Sequence, residues 1–201
     1  MNEIIIDYKT KYSTLYNNPS GAQYFNSIGA LIPNHNKFIQ LSAGGDHSYN
    51  NNEFKDKDTQ LSREIRFECM KILKSFVNTS FGIKVVLESK QTLMAIATAI
   101  DCSDSQSMNV ACQLLAVLAV LDHEKVLAAI GESAKLTGNH RFYSIVKGLT
   151  FDPNDRELKI SSMLLINALI CNAETLDFKI HLRSDFARCG LIQAIETIKD
   201  K

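Results

Sequence analysis

The sequence predicts an all-α fold, and three observations carry that reading. Only three prolines (Pro19, Pro33, Pro153) and nine glycines interrupt 201 residues, so long stretches are free of breakers. From Leu61 to Val77 the apolar residues Leu61, Ile65, Phe67, Cys69, Ile72, Leu73, Phe76 and Val77 recur mostly at three- and four-residue steps, which is helical spacing. Nowhere does a run alternate apolar and polar residues with the period of two that a half-buried strand needs.

The elements follow in order. Residues 2–16 can form an amphipathic helix with Ile5, Ile6, Tyr12, Leu15 and Tyr16 on its apolar side. Asn18 caps a second helix that begins at Pro19 and ends before Pro33, because proline is tolerated only in a first turn. A short helix over 34–42 comes next, and residues 42–56, rich in Gly, Ser and Asn at their start, read as an exposed loop. The helix from residue 57 ends ahead of Gly82, and short helices follow at 83–87 and 91–100. Asp104 or Ser105 can cap a helix over 106–121 whose apolar residues cover nearly its whole circumference, so it is expected to be buried on more than one side. Further helices are expected at 122–136, 140–149, 154–171, 175–188 and 190–199, and the second half of 154–171 is again almost wholly apolar.

Composition narrows the function. Hydrophobic residues make up 45% and charged residues 22% of the chain, ordinary values that allow one domain with a sizeable core. Lysine plus arginine equals aspartate plus glutamate, 22 each, and no basic block exists to follow a phosphate backbone, which argues against nucleic acid as partner. The five cysteines are odd in number and widely spaced; Cys69, Cys112 and Cys171 fall in apolar helical runs and are expected as buried, reduced thiols. Met1 to Asp7 lacks the apolar core of a signal peptide. The longest apolar run, Leu114 to Leu121, has eight residues, where about twenty are needed to span a bilayer. A soluble, intracellular protein is expected.

Catalytic and metal-binding patterns are missing from the sequence. It has no Cys-x-x-Cys, no His-x-x-x-His and no phosphate-binding glycine loop. His123 is flanked by Asp122 and Glu124, but adjacent residues on a helix do not face one another. No nucleophile, base and orienting acid can be assembled, so a binding protein is expected rather than an enzyme, with neither metal nor cofactor.

A weak repeat is present. Three times an apolar helix end is followed by a lysine-bearing helix start: Phe76-Val77 then Lys84, Val120-Leu121 then Lys125, Ile170-Cys171 then Lys179. The spacing is near that of armadillo and HEAT repeats, about 40–47 residues, if the longer second interval holds an insertion around 150–155. Taken alone, this periodicity is equally compatible with an irregular helical bundle.

Two separated motifs resemble a known family. The stretch Glu68 to Lys84 and the run Leu165 to Ile170, with Leu176 to Leu191 after it, are similar to the formin homology 3, or diaphanous inhibitory, region of diaphanous-related formins. The resemblance covers about residues 60–200. It implies an armadillo-repeat right-handed superhelix over 57–201, preceded by an N-terminal segment, 1–56, that resembles the end of a GTPase-binding subdomain. It implies two partners, an active Rho-family small GTPase and the carboxyl-terminal autoregulatory helix of the same formin, whose contact keeps actin filament nucleation switched off. It also implies a cytoplasmic location at the cytoskeleton and cell cortex, with actin reached only through other domains of the parent protein.

On this resemblance the groove for the autoregulatory helix involves Leu165, Ala168, Leu169 and Asn172, and the GTPase corner is Val77, Asn78, Thr79 and Ser80. Spacing adds that Leu165 and Ala168 begin a stripe which Asn172 closes with a polar residue, while on periodicity alone Ala168 better suits close packing between solenoid helices. Asn78 equally suits a helix cap before Gly82. Thr79 departs from the family pattern, which has asparagine there. His181 and Arg183, in the second motif, are expected to bond between helices. A second copy of the chain is a further candidate partner. The alternative function is an armadillo-like adaptor that binds another cytoskeletal or membrane protein without nucleotide control.

Overall fold

A computed structural model describes residues 52–199 of the chain, with side chains from 60 to 198. The helices expected within residues 2–42 and most of the 42–56 loop lie outside the described residues. Among the described residues there are helices and turns and no strand. The helices are α1 (Asn52–Val77), α2 (Ser80–Glu88), α3 (Lys90–Thr98), α4 (Ser105–Leu121), α5 (His123–Thr137), α6 (Tyr143–Lys147), α7 (Arg156–Cys171), α8 (Leu176–Arg188) and α9 (Leu191–Lys199).

Local chemistry explains most of these limits. Thr79, Ser89, Asp104, Asp122, Asp155 and Thr175 each stand just before a helix, and each side-chain oxygen accepts a hydrogen bond from the backbone N–H three residues on. Such a cap occupies one of the four unpaired donors at a helix start. Gly138 ends α5 in the left-handed region, φ 67°, which costs a residue without a Cβ nothing. One boundary departs from expectation: α1 begins at Asn52, so residues 52–56, read as loop, are helical. Glu53, Lys55 and Asp56 are compatible with a helix, and the strong run beginning at Leu61 propagates back through them.

The helices stack in repeats. Thr79, Asp122 and Thr175 open successive units, right after α1, α4 and α7 end at Val77, Leu121 and Cys171. The second unit is the longer because the segment from Gly138 to Asp155, with α6 inside it, lies between α5 and α7. Helix α4 packs on α1 on one side and on α7 on the other, and α3 packs on α5. The fold is an all-α solenoid of the armadillo type, in which each layer hides the apolar face of the one before it.

The core runs the length of the stack, with Ile96, Met108, Leu115, Leu118, Leu158, Leu165 and Ile166 among its fully buried side chains. Two cysteines depart from expectation. Cys112 is buried, but Cys69 and Cys171 are exposed, because they fall on the solvent sides of α1 and α7 rather than against α4.

Candidate functional site

Helices α1, α4 and α7 lie side by side and run the same way. The Lys74 ammonium donates to Gln113 Oε1 at 2.7 Å, a pair 39 residues apart that joins α1 to α4. The Arg66 guanidinium stands 3.8 Å from the buried Asp104 carboxylate and ties the same two helices two turns earlier. Between α4 and α7, Asn109 donates to Glu157 at 3.3 Å and Gln113 to Ser161 at 3.0 Å, both pairs 48 residues apart. Offsets of 39 and 38 along one seam and of 48 along the other mean parallel helices in a nearly fixed register.

The middle helix defines the open face. Only one stripe of α4 reaches solvent beyond its first residue: Gln106, Asn109, Gln113, Val117, Val120 and Leu121. The first half of this stripe is polar and is tied to both neighbours by the bonds above. The second half is apolar and half-buried. The same registers bring Asn78, just past the end of α1, level with Val117 one turn on, and Ala168 of α7 level with Val120 two turns on. This half-buried strip of α4 between α1 and α7, polar at one end and apolar at the other, is here termed the trough. An amphipathic helix laid into an apolar trough is a common mode of peptide recognition.

The residues expected in the groove divide. Ala168, 9% exposed, borders the trough. Asn172 is half-buried, and its side-chain amide donates to Ala168 O at 2.7 Å, closing the end of α7. Leu165 and Leu169 are fully buried. In this fold they belong to the core behind the trough, because their side of α7 is turned inward. The exposed side of α7 carries Glu157, Ile160, Leu164, Asn167 and Cys171. Periodicity missed Leu164 and the valines of α4, because helices that are apolar all round do not tell which stripe is left open.

The expected GTPase corner is one tight connection. Val77 is buried, Asn78 and Thr79 are exposed, and Ser80 is half-buried. The Thr79 hydroxyl donates to Phe76 O at 2.8 Å and accepts from Gly82 N at 3.0 Å, so Thr79 is the N-cap of α2, and Asn78 directly follows the last residue of α1. The turn needs Gly82, since a Cβ there would lie 1.9 Å from Phe76 O. Asn78 projects at the end of α1 beside this turn.

The histidines take structural parts. His123 Nε2 lies 2.7 Å from Leu169 O, one of the last carbonyls of α7, and donates to it, since a carbonyl can only accept. His181, expected to bond between helices, instead faces Asp185 of its own helix at 3.5 Å, and Arg183 is exposed. Asp185 also meets Arg188 at 3.5 Å and Arg141 at 3.9 Å. Among the described residues no three His, Cys, Asp or Glu side chains are placed to hold a metal ion, and no helix is long and apolar enough to cross a membrane.

Stacked helices with an open strip between parallel neighbours and capped corners define a helical-repeat protein-binding module. The family Diaphanous GTPase-binding Domain matches residues 47–120, and the family Diaphanous FH3 Domain matches residues 123–201. Protein diaphanous homolog 2 of Mus musculus is 32% identical over 151 residues, which is 73% of this chain and 14% of that protein. Protein diaphanous homolog 3 of Mus musculus is 30% identical over 153 residues, 74% of this chain and 13% of that protein. Protein diaphanous of Drosophila melanogaster is 31% identical over 153 residues, 71% of this chain and 14% of that protein. The chain belongs to the diaphanous-related formins, as their GTPase-binding and FH3 region. It spans about one seventh of the length of the relatives it matches.

Proposed function

We propose that the chain is the regulatory module of a diaphanous-related formin. It binds an active, GTP-bound Rho-family GTPase and the carboxyl-terminal autoregulatory helix, and so controls autoinhibition of actin filament nucleation. It works as a binding module rather than an enzyme, at the cytoskeleton and cell cortex, and actin is reached through other domains of the parent protein. In this reading the armadillo region occupies 57–201 and the N-terminal segment 1–56 contributes to the GTPase side. The GTPase engages the corner Val77 to Ser80, with Asn78 as its accessible contact. The autoregulatory helix lies in the trough over Val117 and Val120, with Ala168 and Leu164 along one wall, Leu165 and Leu169 supporting that wall from behind, and Asn172 at the end of α7.

The observation that supports this most is the register of the three parallel helices. It brings Asn78 level with Val117, so the two proposed sites adjoin. Two ligands at adjoining sites each weaken the other by the same factor.

A pull-down with GTP- and GDP-loaded Rho-family GTPases tests the reading. Retention of the GTP form alone, weakened by Asn78→Asp with the autoregulatory helix still bound, is the expected result. Equal binding of both nucleotide forms, or of neither, would favour the adaptor without nucleotide control.

A further inference from the structure

Helix α5 keeps one half-open face that none of the sites above uses. Glu124, Ala128, Gly131 and Lys135 follow one another on it at steps of three and four residues, so they share a side of the helix. With Phe178 of α8 and Arg141 of the turn before α6 they line a groove of about 590 Å3, a size that receives a ligand. None of its walls belongs to α1, α4 or α7, the helices of the trough.

Two features of this groove have no explanation in the fold. The first is Gly131. It stands in the middle of α5, where glycine destabilises a helix relative to alanine. Packing does not ask for it, since the nearest atom an added Cβ would meet is Arg141 Cδ at 3.5 Å, an ordinary contact. Its effect is to leave the floor of the groove open. The second is Arg141. Its Nε and Nη2 are enclosed without a hydrogen-bond partner, and its ion pair with Asp185 is long, 3.9 Å. Asp185 is shared with His181 and Arg188, each at 3.5 Å. Burial lowers the Arg141 pKa, and Asp185 only partly offsets this. The side chain is 31% exposed and lines the groove. The rim follows the same pattern. Lys135 is exposed one turn from Gly131, Glu132 is held by Lys90 at 2.7 Å, and Glu124 lies at the far end, about 16 Å away along α5. One end of an apolar floor is therefore basic and under-compensated.

We propose that this groove binds an extended acidic segment of a partner protein, with an apolar side chain over Gly131 and a carboxylate beside Arg141 and Lys135. Charge complementarity selects this occupant. A carboxylate supplies the anion that the shared Asp185 does not, and a charge-assisted hydrogen bond to arginine is stronger than a neutral one. Glu124 repels a second carboxylate at the other end, so the segment is acidic at one end. A length of about 16 Å takes about five extended residues.

Titration of the isotope-labelled full chain with the peptide acetyl-Ala-Leu-Ala-Glu-Ala-amide, followed by NMR, tests this up to about 5 mM, which measures a dissociation constant near 1 mM. Leucine and glutamate two residues apart project to the same side of an extended chain. Shifts at the amides of Ala128, Gly131 and Arg141 are expected, and the glutamine counterpart of the peptide should bind at least about five-fold more weakly. Arg141→Gln should erase the difference between the two peptides. Gly131→Ala should raise the melting temperature. Gly131→Leu should leave the chain folded in the same melt and weaken the peptide at least about ten-fold. An absent shift at Gly131 would overturn the proposal, and a groove covered in solution by another part of the chain or by a second copy gives that result. So would a glutamine peptide that binds equally well, a melting temperature lowered by Gly131→Ala, or undiminished affinity in folded Gly131→Leu.

Discussion

The rings of Phe142 and Phe186 lie 4.1 Å apart between centroids and within 18° of parallel, both fully buried. Phe142 belongs to the inserted segment ahead of α6, and Phe186 to α8, so one stacked pair fastens the insertion to the last repeat. The Arg141 guanidinium lies over the Phe142 ring at 4.5 Å and faces Asp185, the residue before Phe186, at 3.9 Å. Phe186→Ala removes a large ring from a closed site and should cost about 3–5 kcal/mol of stability. Urea denaturation reads this directly, and a loss under about 1 kcal/mol would mean that the insertion is held elsewhere.

The α1–α2 corner makes a sharper demand. Gly82→Ala drives a Cβ to within 1.9 Å of the Phe76 carbonyl oxygen, a backbone atom that cannot rotate away. The expected cost is about 1–3 kcal/mol. Thr79→Ala, which removes the α2 cap, should cost about 1 kcal/mol. Thermal melts of the two variants should rank them in that order.

The thiols should react in sequence. Cys69 and Cys171 are exposed, Cys189 is half-buried, and Cys102 and Cys112 are buried. Burial pushes the Cys112 thiol up to about 12 from its ordinary 9.0, so it stays protonated in the fold. Alkylation of the native protein followed by mass spectrometry should label Cys69 and Cys171 first and Cys112 only on unfolding. The pH dependence has a definite sign. A raised folded value means that this thiol's contribution is complete below pH 9 and is lost as pH rises from about 9 toward about 12. Cys112→Ala should flatten that part of the stability profile.

The trough is testable through Ala168. Ala168→Asp sets a carboxylate against the apolar floor and should abolish binding of a synthetic autoregulatory helix, because a buried unpaired charge is strongly unfavourable. The position is 9% exposed, so the same change also strains the fold. Ala168→Leu separates the two effects, since it fills the trough without a charge. Calorimetry, run well below a melting temperature that overpacking lowers somewhat, should show weakened binding. Undiminished affinity in Ala168→Leu would remove this wall from the groove.

Most of the fold was legible because its signals are local. The cap Asp104 is a side chain with one characteristic task, and Gly82 marks a corner that only glycine can turn. Which face of a helix looks outward is not a local property. In α7 the residues from Met163 to Cys171 are apolar except Asn167, so Leu164 and Leu165 look alike in the sequence. Packing on α4 alone leaves Leu164 in solvent and seals Leu165. The same ambiguity misassigned Cys69 and Cys171, and it hid Val117 and Val120, which only the register between three helices brings to the trough. His181 could have been read more closely, since Asp185 stands four residues on, the spacing of a helical ion pair.

Helix α4 shows water a single stripe and is flanked on both sides by parallel helices. Its amides therefore belong to the most slowly exchanging part of the molecule.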